Sequence, residues 1–156
     1  MRVLVVSEDA VERLRAASAL TLHAEAEVEV VEAASVSEAR ARVAEDPRGF
    51  EVLVIDGDLR PRGGFAALYA LRARAELDGA PQVPAVIMMG REQDRWLADW
   101  AGANAVLVKP VATFALAREV EGLVGVPGAP HGATESSDQI ADLVTATRGD
   151  NAGLSP

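Results

Sequence analysis

The chain has 156 residues, 49% of them hydrophobic, which suits one domain with a real core and hardly two. Its formal net charge of −9 argues against DNA or RNA as a direct partner, because nucleic-acid binders neutralise phosphates with a basic surface. The absence of cysteine excludes a disulfide framework and a thiolate metal site, and neither histidine, His23 or His131, has another ligand type at metal spacing.

The N-terminal stretch is one Arg and a four-residue apolar run, too short for a signal peptide or a membrane span. A soluble cytoplasmic protein without a membrane partner is expected. Arg2 to Val6 reads as a buried strand, rich in β-branched residues, and ends in Ser7-Glu8-Asp9. A helix is expected over Ala10 to Leu22, with Val11, Leu14, Ala17 and Leu20 at helical spacing. Val28 to Val31 half alternates, as an edge strand would. Ser35 followed by Glu38 fits a capping box that opens the second helix, which Pro47 and Gly49 close. Val52 to Asp56 is the central strand: an apolar run that stops in a carboxylate, followed by a turn-rich segment. A third helix is expected from Phe65 to Ala75, a strand over Ala85 to Met89, and a fourth helix from Glu92 to Ala101, stopped by Gly102. Ala105 to Val108 is the fifth strand, ended by Lys109-Pro110. Thr113 to Val124 is the last helix.

Five strand–helix units in succession imply right-handed crossovers and a parallel sheet covered on both faces. The pattern matches a flavodoxin-like doubly wound α/β fold of five strands in the order 2-1-3-4-5, over residues 1–126. Past Val126 the composition changes to a Pro/Gly-rich stretch, so residues 127–156 read as a flexible tail. Within it, residues 136–147 could form one short helix with Ile140, Leu143, Val144 and Thr147 on one face. A helix this short is marginal in water unless something covers that face. The functional reading of the segment is a docking peptide, for a partner or for the domain itself.

In a doubly wound sheet the ends of strands 1, 3 and 5 converge on one crevice, where ligands bind. Here that gathers Glu8 and Asp9, Asp56, and Lys109. An acidic cluster suits Mg²⁺, a hard cation that takes carboxylate oxygens. A lysine beside it suits a phosphoryl group. A carboxylate with a metal and a lysine is a site for accepting a phosphoryl group onto oxygen.

This constellation resembles the response-regulator receiver domain of two-component signalling. The resemblance runs from Arg2 to about Val126 and is carried by VLVVSED, by VLVID with Gly64 eight residues on, and by the block AGANAVLVKP. It implies that Asp56 is the phosphoacceptor and that Glu8 belongs to the acidic pair holding Mg²⁺. It also implies that the backbone carbonyl of Asp58 completes the metal shell, with Asp9 as a weak extra donor. Lys109 would contact the phosphoryl oxygens, and Lys109–Pro110 would be cis. Against the family pattern, Ser7 replaces one carboxylate of the acidic pair. Met89 stands where a Ser or Thr hydroxyl is expected, Val106 stands for the switch aromatic, and Arg60 occupies the turn-proline position with Pro61 after it. Met89 cannot donate a hydrogen bond to a phosphoryl oxygen. The acceptor, the lysine and half the metal site remain, and the groups that read the phosphoryl group do not.

The resemblance therefore implies a stand-alone atypical receiver in phosphorelay signalling, not an enzyme, with a sensor histidine kinase or another signalling protein as partner. The alternative is a phosphorylation-independent pseudo-receiver, a protein-interaction module. Asp56 and Lys109 can also be read as an ion pair that merely holds two loops together, and Arg60 and Arg62 as a solvated loop. Trp96 and Trp100 stand four apart, so they share a helical face. One suits the core, and the pair also suits an interface, such as a homodimer through the fourth helix, fifth strand and fifth helix. A flavin or nucleotide enzyme of another flavodoxin-like class fits less well, because Ser7-Glu8-Asp9 offers carboxylates where an anion loop is wanted.

Overall fold

The apolar runs become five strands: β1 (Arg2–Val6), β2 (Glu29–Ala33), β3 (Val52–Asp56), β4 (Ala85–Met89) and β5 (Ala105–Val108). They form one parallel sheet in the order β2-β1-β3-β4-β5, the order read from the sequence. The computed structural model describes residues 1–60 and 62–132. The helices are α1 (Ala10–His23), α2 (Val36–Glu45), α3 (Gly63–Leu77), α4 (Arg95–Ala101) and α5 (Thr113–Leu123).

Strand side chains point alternately to the two faces, so one sequence builds two cores. Val3, Val5, Val52, Val54, Val86 and Met88 pack with Ala16, Ala19 and Leu20 of α1 and Leu116 and Val120 of α5. Leu4, Val6, Leu53, Ile55, Ile87 and Met89 pack with Ala39 of α2, Ala67 and Leu68 of α3, and Ala98 and Ala101 of α4. β3 and β4 are buried along their whole length, which is why they read as unbroken apolar runs. Each large side chain so buried contributes roughly 1.5–3 kcal/mol. Both layers therefore hold the central strand, and Asp56 sits at its end on a rigid base.

Several ends differ from the sequence reading, each for a local reason. β2 runs Glu29–Ala33 because it pairs residue for residue with the whole of β1 and buries Ala33. Ser35 caps α2 by accepting from the Glu38 N–H at 3.0 Å, and the Glu38 carboxylate accepts from the Ala34 N–H at 3.0 Å. α3 starts at Gly63, earlier than expected. Gly64 there lies so close to the end of β3 that a Cβ would collide with the Asp56 carbonyl, and its N–H donates to the Gly57 carbonyl at 2.9 Å. α4 is preceded by a single 3₁₀ turn at Glu92–Asp94 and ends at Gly102, whose φ of +90° is left-handed.

Residues 127–132 lie across the domain as a strap. The Gly128 N–H donates to the Gln82 carbonyl at 2.8 Å and the Gly132 N–H to the Trp100 carbonyl at 2.8 Å. Asn104 donates to the Pro127 carbonyl at 2.9 Å and accepts from the Ala129 N–H at 3.0 Å. Behind the strap lies Arg72, only 2% exposed. Its guanidinium donates to the carbonyls of Gly102 and Val83, and burial lowers its pKa to about 10. The expected short helix at residues 136–147 lies outside the described residues, as does Pro61.

Candidate functional site

The crevice is built from three strand ends. β1 runs directly into Ser7, which is fully buried, and its N–H donates to the Ala33 carbonyl of β2 at 3.1 Å. β3 ends in Asp56, 4% exposed. β5 delivers Lys109, whose N–H donates to the Met89 carbonyl of β4 at 2.8 Å. The Lys109–Pro110 peptide is cis, as the resemblance implied.

Asp56 is held by three donors. Lys109 Nζ lies 2.5 Å from Oδ1, which also accepts from the Asp58 N–H at 3.0 Å. The Ser7 hydroxyl donates to Oδ2 at 2.6 Å. Burial pushes the carboxyl up, but the hydrogen bonds from Lys109, Ser7 and the Asp58 amide, with the lysine charge, outweigh it. The Asp56 pKa therefore lies below the ordinary carboxylate value. Lys109 mirrors this: burial pushes it down, and its bonds to Asp56 and Asp58 raise it above the ordinary lysine value. At neutral pH the pair is ionised.

The acidic residues expected beside Asp56 are dispersed. Glu8 accepts from the Arg60 N–H, and its other oxygen lies 3.6 Å from the Arg60 guanidinium. Asp9 caps α1, accepting from the N–H groups of Val11 at 2.8 Å and Glu12 at 3.4 Å. The Asp58 carboxylate lies 3.0 Å from Lys109 Nζ, so its side chain joins the site as well as its backbone. Among the described residues no group of three or more His, Cys, Asp or Glu could hold a metal ion.

Met89 is 1% exposed and belongs to the core that includes α2, α3 and α4, with no hydroxyl to offer the crevice. Val106 is half-buried against that same core. Trp100 also packs there and stacks on Tyr69, ring centroids 4.4 Å apart and planes 5° from parallel. Trp96 is 44% exposed. The two indoles thus part company.

Arg13 is a site residue the sequence reading missed. Its guanidinium donates to the Ser7 carbonyl at 2.7 Å and the Glu8 carbonyl at 3.2 Å, bracing the loop after β1. A signal was available: Arg13 lies one turn beyond the Asp9 cap, so it faces back onto that loop.

The geometry offers a nucleophilic carboxylate in a water-poor position, a cation beside it, and no hydroxyl from β4. No family model matches the chain. Two curated proteins do, both named uncharacterized response regulatory protein, from two strains of Mycobacterium tuberculosis. Each is 34% identical over 82 residues, which is 53% of this chain and 59% of the relative. The chain thus matches less than two thirds of the length of these relatives. Among solved structures, a response regulator receiver domain protein from Clostridium thermocellum superposes with a TM-score of 0.67 at 20% identity, over 80% of this chain and 94% of that one. The receiver domain of the response regulator Ssk1, solved with the histidine phosphotransfer protein Ypd1 of Saccharomyces cerevisiae, belongs to a complex that matches with a TM-score of 0.67 at 23% identity, over 80% of this chain and 89% of that one. The response regulator TrrA of Thermotoga maritima, solved with Mg²⁺ and BeF, matches with a TM-score of 0.65 at 19% identity, over 79% of this chain and 98% of that one. At these identities the structural matches concern the fold.

Proposed function

We propose that the chain is a response regulator receiver domain, a signalling module of two-component systems, with Asp56 as its phosphoacceptor. One observation carries the reading: an ionised, nearly buried carboxylate ends the central strand with Lys109 Nζ 2.5 Å away. An Asp56 oxygen attacks phosphorus and forms an acyl phosphate. The P–N bond of a phosphohistidine donor breaks, and its electron pair stays on the imidazole nitrogen, which takes up a proton. Lys109 then donates to the phosphoryl oxygens, offsetting the charge that builds there. The Asp58 N–H and the Ser7 hydroxyl hold the carboxylate in place during attack.

For Mg²⁺ the donor set is thin. Glu8, Asp56 and the Asp58 carbonyl are the groups that would hold it. Asp9 is committed to α1, Ser7 stands where a second carboxylate is expected, and Glu8 must leave Arg60 to reach the ion. When bound, the ion neutralises charge on the transferred group. The Thermotoga relative, solved with Mg²⁺ and BeF, supports this assignment. The same thin set makes the receiver an atypical one, as do Met89 and Val106.

The donor we assign is a sensor histidine kinase or phosphotransfer protein, a reading supported by the Ypd1 complex of the yeast relative. Exposed Val11 and Leu14 of α1 and Phe114 of α5, 55%, 65% and 58% exposed, lie in helices that begin at the crevice and offer apolar contacts to such a donor. Trp96 offers an anchor for pairing of two copies through α4, β5 and α5. Among the described residues no helix is long and apolar enough to cross a membrane.

The test is intact mass after incubation with acetyl phosphate and Mg²⁺. Wild type gains one phosphate and Asp56→Asn gains none. A second reading, the phosphorylation-independent pseudo-receiver, is favoured by one observation: both Asp56 oxygens already accept from the protein's own donors. No added phosphate on wild type, with partner binding unchanged in Asp56→Asn, selects it.

A further inference from the structure

Of the carboxylates Glu8, Asp9, Asp56 and Asp58 around the crevice, three are committed to the fold or to the ion pair. Asp56 takes bonds from Lys109, Ser7 and the Asp58 amide. The Asp58 carboxylate lies 3.0 Å from Lys109 Nζ, and Asp9 caps α1. Glu8 is held differently. One of its oxygens accepts from the N–H of Arg60, in the loop after β3, and the other lies 3.6 Å from the Arg60 guanidinium. Glu8 thus ties together the loops that follow β1 and β3.

The two halves of this tie differ in strength. The guanidinium half is a solvated ion pair, with the Arg60 side chain 87% exposed, and such pairs contribute little. The N–H half is a charge-assisted hydrogen bond from a backbone donor, which no rotamer change can swing away. On the Glu8 side the backbone is braced. The Arg13 guanidinium donates to the Ser7 and Glu8 carbonyls at 2.7 and 3.2 Å, and the Asp9 N–H donates to the Ser7 hydroxyl at 3.2 Å. With that backbone fixed, Glu8 can leave Arg60 by side-chain rotation alone. Its carboxylate is the movable part of the site.

We propose that the Glu8–Arg60 contact is a latch on the cation site: the Arg60 N–H competes with a divalent cation for Glu8, so an intact latch weakens cation binding and a bound cation releases the loop after β3. Arg60 is a positioning residue that acts through Glu8. The coupling is reciprocal, because whatever frees the loop from Glu8 strengthens the cation site by the same factor. The released loop is the one whose Asp58 N–H holds Asp56 and whose Gly57 carbonyl accepts from Gly64 at the start of α3. The inference rests on Glu8 as a cation ligand and not on phosphoryl transfer to Asp56.

Arg60→Ala keeps the N–H and removes the guanidinium, whereas Arg60→Pro removes both, because proline has no N–H. Among the described residues no non-glycine residue has a positive φ, so Arg60 has the sign of φ that proline requires. The full-length chain is titrated with Mg²⁺ and followed by the backbone amide shifts of Asp56, Asp58 and, where it has an N–H, residue 60. The latch bond is solvent-exposed, so we expect Mg²⁺ to bind about five- to tenfold more tightly to Arg60→Pro than to wild type, and within about twofold of wild type to Arg60→Ala. In a Glu8→Ala background Arg60→Pro brings no tightening. In wild type the Arg60 amide proton moves, as Mg²⁺ binds, toward its position in metal-free Glu8→Ala, a measurement that needs no proline variant. Equal affinities of wild type and Arg60→Pro, tightening that survives in Glu8→Ala, or an Arg60 amide that stays in place while those of Asp56 and Asp58 titrate overturns the latch and leaves the donor set standing. No Mg²⁺-dependent shift in any form overturns the donor set and the latch together.

Discussion

Replacing Lys109 with Met isolates the ion pair on which the crevice rests. The substitution keeps most of the side chain's volume and removes its charge, leaving Asp56 buried. Breaking a fully buried pair by removing one partner costs about 3–5 kcal/mol. Here the Asp56 side chain is 6% exposed and that of Lys109 19%, so water reaches one end of the pair. Asp56 also keeps its bonds from Ser7 at 2.6 Å and from the Asp58 N–H at 3.0 Å. Both facts reduce the penalty, and we expect about 2–3 kcal/mol. With a urea slope of about 2 kcal/mol/M, the unfolding midpoint falls by about 1–1.5 M. The double variant Asp56→Asn/Lys109→Met recovers most of that loss, because no unpaired charge remains. In Lys109→Met the Asp56 carboxyl rises, since burial is then less opposed, and carboxyl-carbon NMR titration reads this directly. A Lys109→Met midpoint within a few tenths molar of wild type refutes the reasoning, as does a double variant no more stable than the single one.

The depressed Asp56 pKa makes its stabilisation fully present above the unfolded value of about 3.9 and lost as pH falls through the lower folded value. The stability of wild type relative to Asp56→Asn should therefore decline on acidification below about pH 4; urea midpoints from pH 7 to pH 3 check this, and a flat difference contradicts it. Ser7→Asp places a second carboxylate where the hydroxyl now lies 2.6 Å from Asp56. It should lower metal-free stability by about 1–3 kcal/mol, with millimolar Mg²⁺ restoring part of it; urea unfolding with and without Mg²⁺ decides, and equal effects of Mg²⁺ on wild type and variant count against the assigned donor set. Gly64→Ala drives a methyl into the Asp56 carbonyl and should cost about 1–3 kcal/mol in the same assay.

What the sequence disclosed of the fold was its periodicity. Val52 to Asp56 shows as a strand because both faces of β3 are buried, and the repeated strand–helix alternation shows a parallel sheet whose five units match the order 2-1-3-4-5. The convergence of the loop after β1, Asp56 and Lys109 was legible for the same reason, since strand ends in this topology have fixed neighbours; the hydrogen bond from the Ser7 hydroxyl to Asp56 at 2.6 Å was not. What could not be read were contacts made across the chain by side chains with several choices of partner. Glu8 and Asp9 look alike beside a metal site, yet one turns to Arg60 and the other caps α1. Arg72 is buried with its guanidinium on the carbonyl of Gly102 at 2.9 Å, because the end of α4 and the strap close over it. Trp96 and Trp100 share a face by spacing, but only Trp100 finds Tyr69, thirty-one residues away.

Whether Asp56 accepts a phosphoryl group is tested most directly by a titration with Mg²⁺ and beryllofluoride, a mimic of the acyl phosphate. The readout is backbone amide shifts, with Trp96 and Trp100 fluorescence alongside. A phosphoacceptor Asp56 gives metal-dependent shifts around Ser7, Asp56 and Lys109 that vanish in Asp56→Asn. Unchanged amide positions at millimolar Mg²⁺ and saturating beryllofluoride would contradict it.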